Sequence, residues 1–166
     1  GHTTLMIGGA ALGTFAMGAI SDAMGRRKPV IVVGCLSALV AWLLLVLTPV
    51  QPGYVLLAGF LIFGLLPTGT SVSYGVAKEL VPASQAGMAM AVVNTGLFLG
   101  AALHLSLFGW LLDIGWDGTV EAGRRLYNST DYSRALWLNV AFAVMASTAV
   151  IFLPETYCGR RPKEQK

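Results

Sequence analysis

The sequence predicts an all-α, polytopic transmembrane helical bundle. Hydrophobic residues fill 55% of the 166 positions and charged residues only 11%, against about a quarter charged in an ordinary soluble domain. The charges also cluster, leaving five charge-free stretches at 1–21, 30–50, 54–77, 86–112 and 135–153. A helix rising 1.5 Å per residue needs about 20 apolar residues to cross a hydrocarbon core of about 30 Å. Each stretch meets or approaches that length. Five such helices inside a soluble domain of this size would leave it no polar exterior.

Taken in order, the stretches differ in their punctuation. The first begins at Gly1 with no Met, basic leader or small-residue cleavage site, so it does not read as a signal peptide, and the chain is expected to start inside a longer protein. Gly9 and Gly13 lie four apart in it, as do Gly96 and Gly100 in the fourth stretch. Each pair clears one helix face and permits close approach, to a bundle neighbour or across a dimer. The second stretch holds Cys35, and the only other cysteine is Cys158 in the tail. Neither has ligand-like spacing, and no disulfide, metal site or cofactor is expected. Pro67, near the middle of the third stretch, removes a backbone donor and leaves the Phe63 carbonyl without its usual partner, which predicts a bend. The fifth stretch is the shortest. Residues 1–153 thus read as one five-span bundle and 154–166 as a polar tail.

The connections, 22–29, 51–53, 78–85 and 113–134, are compact, which predicts that sequential helices are antiparallel neighbours. One side of the membrane then holds Arg26, Arg27, Lys28, Lys78, Arg160, Arg161, Lys163 and Lys166. The other holds Arg124, Arg125 and Arg134 in a loop that also carries Asp113, Asp117, Glu121 and Asp131. By the positive-inside rule the first side is cytoplasmic, and the C-terminus with it. The formal net charge of +3 is explained by this placement beside the spans, and no nucleic-acid partner is expected. Asn128-Ser129-Thr130 on the outer loop has the form of a glycosylation sequon, a triplet that also arises by chance.

Between the first two stretches the chain reads Gly18-Ala19-Ile20-Ser21-Asp22-Ala23-Met24-Gly25-Arg26-Arg27-Lys28-Pro29. Gly18 thins the helix near its end, Asp22 places a carboxylate at the membrane boundary, and Gly25 permits the positive φ of a tight reversal. Three cations follow to anchor the loop. This G-x-x-x-D-x-x-G-R-R-K pattern resembles the loop signature of the major facilitator superfamily, found between spans two and three and again between spans eight and nine. Four spans and a basic tail follow it in this chain, which fits the second copy. The ending Pro154-Glu155-Thr156-Tyr157-Cys158-Gly159-Arg160-Arg161 is similar to the Pro-Glu-Thr then Gly-Arg ending of many members. The stretch from Val81 to Asp113, with Pro82, Gly87, Asn94, Gly100 and Gly109, is similar to the eleventh span of bacterial members.

The resemblance implies an incomplete C-terminal half, spans eight to twelve of a twelve-span transporter, in a bacterial inner (plasma) membrane. Its partners would be the lipid bilayer, a small-molecule substrate with a proton as candidate coupling ion, and the missing N-terminal bundle. It also implies that Gly18, Asp22, Gly25, Arg26 and Arg27 form a conformational latch, with Asp22 and Arg26 leading, Arg27 supporting, and the helix facing Asp22 in the missing half. The polar and aromatic signatures of the sugar-transporting branch are not seen, so the ending does not name a sugar.

Polar residues in mid-span are costly unless they face a cavity or a partner, and such transporters bind near the midplane. Thr70, Ser71 and Tyr74 share the region of Pro67. Their hydroxyls can line a substrate path or bond back to helix carbonyls. In the fourth stretch Asn94 and His104 are the strongest polar groups, about 15 Å of rise and about 80° apart. That separation excludes joint grip on one small group but allows successive levels of one path. Asn94 can equally bond a neighbouring helix, and His104, which carries an imidazole, is a candidate proton carrier. No Asp or Glu lies in any charge-free stretch. An intramembrane enzyme would need nucleophiles, carboxylates or metal ligands at one depth, and His2 and His104 are the only histidines. A non-transporting scaffold or receptor on the same fold is the other alternative.

Overall fold

The computed structural model describes residues 2–48, 53–121 and 123–159. The tail cations Arg160, Arg161, Lys163 and Lys166, and most of the 51–53 connection, lie outside the described residues. Helix α1 spans His2–Met24 and α2 spans Lys28–Leu47. The third hydrophobic segment is composite: α3 (Gly53–Leu65), a 3-10 segment (Leu66–Val72) and α4 (Ser73–Glu79). After a 3-10 turn at Ala83–Gln85 comes α5 (Ala86–Ile114), then a two-residue antiparallel pair, β1 (Val120–Glu121) with β2 (Arg124–Arg125). Helix α6 (Ser129–Ala149) continues as a 3-10 turn, Val150–Phe152, and the tail closes in a turn at Tyr157–Gly159. Among the described residues five helical segments are long and apolar enough to cross a membrane. Among the described residues the small hairpin in the 113–134 loop is the one stretch of β structure.

Local chemistry explains the boundaries. Gly25 adopts φ +63°, the left-handed conformation open to a residue without a Cβ, and its N–H returns to the Asp22 carbonyl at 3.2 Å. Pro29 falls in the first turn of α2, where its missing N–H would be unpaired anyway. Helix α6 starts upstream of the charge-free stretch because Asn128 caps it. The Asn128 side-chain oxygen accepts from the Asp131 N–H at 2.9 Å, and the Asp131 carboxylate accepts from the Asn128 N–H at 3.1 Å. The triplet that reads as a sequon is thus the start of a helix. At Pro67 the third segment tightens into 3-10 geometry over seven residues, where runs of 3–4 are usual.

Sequential helices are not all neighbours. Helices α1 and α2 share the basic loop yet meet at few points, and α1 lies along α3 instead. Small residues decide this. A Cβ on Gly9 would stand 2.6 Å from the Leu61 carbonyl oxygen, and one on Gly64 would strike the Met6 backbone. Helix α2 packs on the 3-10 segment and on α6, while α5 packs on α4 and α6. Buried side chains gather toward the Arg27 end, where Met17, Val30, Ile31, Val72, Val76 and Val150 form one cluster. Among the described residues Gly96 and Gly100 meet nothing within 4 Å, so that pair has no close helix neighbour there, unlike Gly9 and Gly13. Both cysteines are free thiols, Cys35 being buried.

Candidate functional site

The polar residues at the basic end converge on Arg27. Its Nη1 donates to Asp22 Oδ1 at 2.6 Å and to Ser21 Oγ at 3.2 Å, while Nη2 and Nε reach Glu79 Oε1 at 2.9 and 3.2 Å. The guanidinium lies against Gly75, one turn before Glu79 on α4. The second oxygen of Glu79 accepts the Thr156 hydroxyl. Arg27 therefore ties the end of α1, the end of α4 and the tail into one cluster. Both Arg27 and Glu79 side chains are only 15% exposed, whereas Asp22 is 66% exposed. Burial acts to lower the Arg27 pKa, but the hydrogen bonds to Glu79 and Asp22 outweigh it and raise the group above its ordinary value.

Glu155 completes the cluster from the tail. One of its oxygens accepts from the backbone N–H groups of Arg27 at 2.7 Å, Thr156 at 3.1 Å, Lys28 at 3.3 Å and Tyr157 at 3.4 Å. Two of these donors open α2, so the carboxylate faces a helix N-terminus and its partial positive charge. The other oxygen lies 3.5 Å from Arg26 Nε. Burial pushes the Glu155 carboxyl up, and the four backbone donors outweigh it, holding the group below the usual carboxylate range. Tyr157 and Cys158 adopt φ of 51° and 54°, a conformation costly for residues with a Cβ. That turn brings Cys158 Sγ to 3.5 Å from the Ser21 carbonyl and folds the tail under α1. Lys28 Nζ adds a bond to the Ile151 carbonyl at 2.7 Å.

Of the five motif residues, Gly25 turns the loop, Asp22 and Arg27 pair with each other, and Arg26 contacts Glu155 from a half-exposed position. Gly18 faces open space. Within the described residues the central cation is Arg27, and the partner of Asp22 is in its own loop. Sequence reasoning did not single out Glu79 or give Glu155 a role. A signal existed: with alternating spans, Asp22, Glu79 and Glu155 all end helices on the side that holds Arg26, Arg27 and Lys28.

The path candidates divide into two places. Tyr74 Oη donates to Asn94 Oδ1 at 3.2 Å, joining α4 to α5. The pair borders an open cavity of about 520 Å³, also lined by Gly87, Met90 and Ala91. Thr70 and Ser71 are exposed one turn earlier, and the Thr70 hydroxyl bonds back to the Pro67 carbonyl at 2.9 Å. His104 is turned elsewhere. Its Nε2 lies 2.8 Å from Asn139 Oδ1 on α6, and its ring meets Phe142 edge-on at 5.3 Å. Asn94 and His104 thus address different helices. Asn139, 8% exposed, was not anticipated as a partner. No group of three or more metal-type ligands occurs among the described residues.

A family model described as Major Facilitator Superfamily matches residues 2–166. The comparisons with curated proteins and with solved structures return no match.

Proposed function

The chain belongs to the major facilitator superfamily and is an integral membrane protein, and on that premise we propose that it is part of a secondary transporter moving a small solute by alternating access. In this reading the helices are spans eight to twelve of a twelve-span protein in a bacterial inner membrane. The Arg27 end is cytoplasmic, and the first bundle is supplied by sequence upstream. The observation that carries the reading is the Asp22–Arg27–Glu79 cluster with Glu155 beneath it. It joins four segments, α1, α2, α4 and the tail, at one membrane face by contacts that a rocking motion can break and remake. Alternating access needs such a two-state contact, because a solute path opens to one side only when the helices on that side part. Asp22 is mostly exposed beside this cluster, so its second oxygen is placed to meet a helix of the other bundle. Asn94 and Tyr74, on the open side of α4 and α5, are the residues of this chain that would touch solute. Proton coupling would run through His104 or through groups of the upstream bundle.

Cys158 reports on the latch, since its thiol packs under α1. In everted vesicles carrying the complete protein, Arg27→Gln is expected to raise N-ethylmaleimide labelling of Cys158 several-fold, while buried Cys35 stays unlabelled. Asp22→Asn is expected to lower uptake of whichever radiolabelled solute a panel identifies, with membrane insertion retained. Unchanged labelling together with unchanged uptake would remove the latch.

A further inference from the structure

The fourth hydrophobic stretch, 86–112, holds a single ionisable side chain, His104, and the structure gives it a fixed partner. His104 lies on α5 well before its Ile114 end, about 15 Å away along the helix axis. Its half-buried ring stands against Phe108 at 5.9 Å between centroids and against Phe142 of α6, edge-on, at 5.3 Å. Nε2 lies 2.8 Å from Asn139 Oδ1, and Asn139 is itself buried on α6. An amide oxygen only accepts, so Nε2 carries the ring hydrogen and Nδ1 holds the free lone pair. Among the described residues nothing bonds Nδ1. A contact that merely packed α5 on α6 would need no imidazole, and an ionisable side chain with a named partner inside a span points to function.

We propose that Asn139 is a positioning residue for a proton-binding site at His104, holding the imidazole in its Nε2–H form so that Nδ1 takes up and releases the proton. The inference deepens the transporter reading, on which the use of that proton in coupling rests. A proton from water adds to the Nδ1 lone pair and gives an imidazolium, and its return to water restores the neutral ring. The amide oxygen accepts from Nε2–H in both forms and does not titrate, so the link between α5 and α6 survives the cycle. Which ring nitrogen is basic is set by the bond that the other one makes. No other described group makes that choice. On α6, Arg134, Tyr132 and Asp131 lie before Asn139 by about 8–12 Å of rise, and on α5 Asp113 lies about 13 Å beyond His104. These are engaged elsewhere: Asp131 faces Arg134, Asp113 binds Arg125 and Tyr127, and Tyr132 packs on Tyr127. On α4, Tyr74 is bonded to Asn94, and Lys78 and Glu79 follow it toward the other end of α5.

The test is solid-state NMR of the complete protein in lipid bilayers, isotopically labelled at the imidazole nitrogens, with His104→Gln identifying the His104 resonances by their loss. In the neutral ring Nε2 is expected to be protonated and Nδ1 bare. On acidification the proton should arrive at Nδ1 while Nε2–H keeps its bond. Asn139→Leu, which removes the acceptor, is expected to raise the Nδ1–H tautomer several-fold, and Asn139→Gln, which returns an amide oxygen, to bring it back toward the parent. Phe142→Leu loosens the packing around the ring but keeps the amide, and should leave the tautomer unchanged. A neutral parent ring with its hydrogen on Nδ1, acidification that protonates neither nitrogen, or a tautomer unmoved by Asn139→Leu would each overturn the proposal. The parent spectra decide the first two even if Asn139→Leu fails to reach the membrane. None of these readouts needs a solute. The expected spectra, together with uptake indifferent to an acid-outside gradient, would uphold the proton site and remove its coupling to transport, whereas the wrong tautomer would remove the site whatever the uptake.

Discussion

At the scale of single residues, the basic end is organised by which charges lose their water. Arg27 and Glu79 are both largely buried and satisfy each other, and Thr156 takes the remaining Glu79 oxygen. Removing one partner leaves the other desolvated, at roughly 1–3 kcal/mol or more for a charged group. Glu155 stands apart because it is stabilised by backbone donors and not mainly by a cation. Its docked carboxyl titrates below the ordinary value of about 4.3. The contribution of docking is therefore complete above the undocked value and is lost as pH falls through the lower, docked one. Amide exchange in the 154–159 peptide of the complete protein, corrected for intrinsic rate, is expected to be equally protected at pH 7 and 5.5. Protection should fall only below about pH 4, and Glu155→Gln should lower it at every pH. Loss of protection already between pH 7 and 5.5 would contradict a lowered Glu155 pKa. The motif residues Asp22, Gly25 and Arg27 were legible in the sequence because they sit within six positions of one another. Glu79 and Glu155 were not, because they reach Arg27 across 52 and 128 residues. Which arginine turns inward depends on the phase of the loop, and two adjacent arginines read alike.

At the scale of elements, helix existence follows from composition while helix adjacency follows from small residues. The charge-free stretches announced the helices, yet short loops gave the wrong neighbour for α1. Glycine contacts overrode loop length there, since α1 and α3 approach through Gly9, Gly13 and Gly64. The bend foreseen at Pro67 takes the form of a 3-10 segment, a change of helix type that pattern reading does not specify. These glycines separate into two classes by what a side chain would meet. Gly69→Val would drive a side chain into the Val30 carbonyl, and overpacking of this kind costs about 1–3 kcal/mol. Gly96→Ala would meet nothing among the described residues. Thermal unfolding of the complete protein in detergent, followed by size-exclusion fluorescence, should show Gly69→Val melting several degrees lower. Gly96→Ala should match the parent unless a helix of the other bundle packs there, so a loss at Gly96 would locate that interface.

At the scale of the whole molecule, α5 is the element whose surroundings the chain supplies least. It spans 29 residues, and none of its described side chains is buried. Leu97, Phe98, Leu103 and Leu105 suit lipid, but Asn94 is also exposed, and an amide facing hydrocarbon is costly unless something answers it. Tyr74 engages only its oxygen, which leaves the amide NH2 donors directed to a cavity or a partner. The same side of the helix carries Gly87, whereas the open Gly96 and Gly100 lie about 200° and 240° round from Asn94, on the opposite side. A helix side polar and small like that of Asn94 and Gly87 is suited to face another bundle across a wet interface. Under the proposed function, that bundle is the upstream half of the transporter. Expressed alone, this chain is then expected to insert but to be degraded or to aggregate, with no solute uptake. Co-expressed with the upstream half as a separate polypeptide, it should co-purify and recover both stability and uptake. Asn94→Leu should improve the isolated chain, by removing the unanswered amide, and impair the reassembled pair. An isolated chain that is monodisperse and gains nothing from the upstream half would mean that the exposed face of α5 meets only lipid.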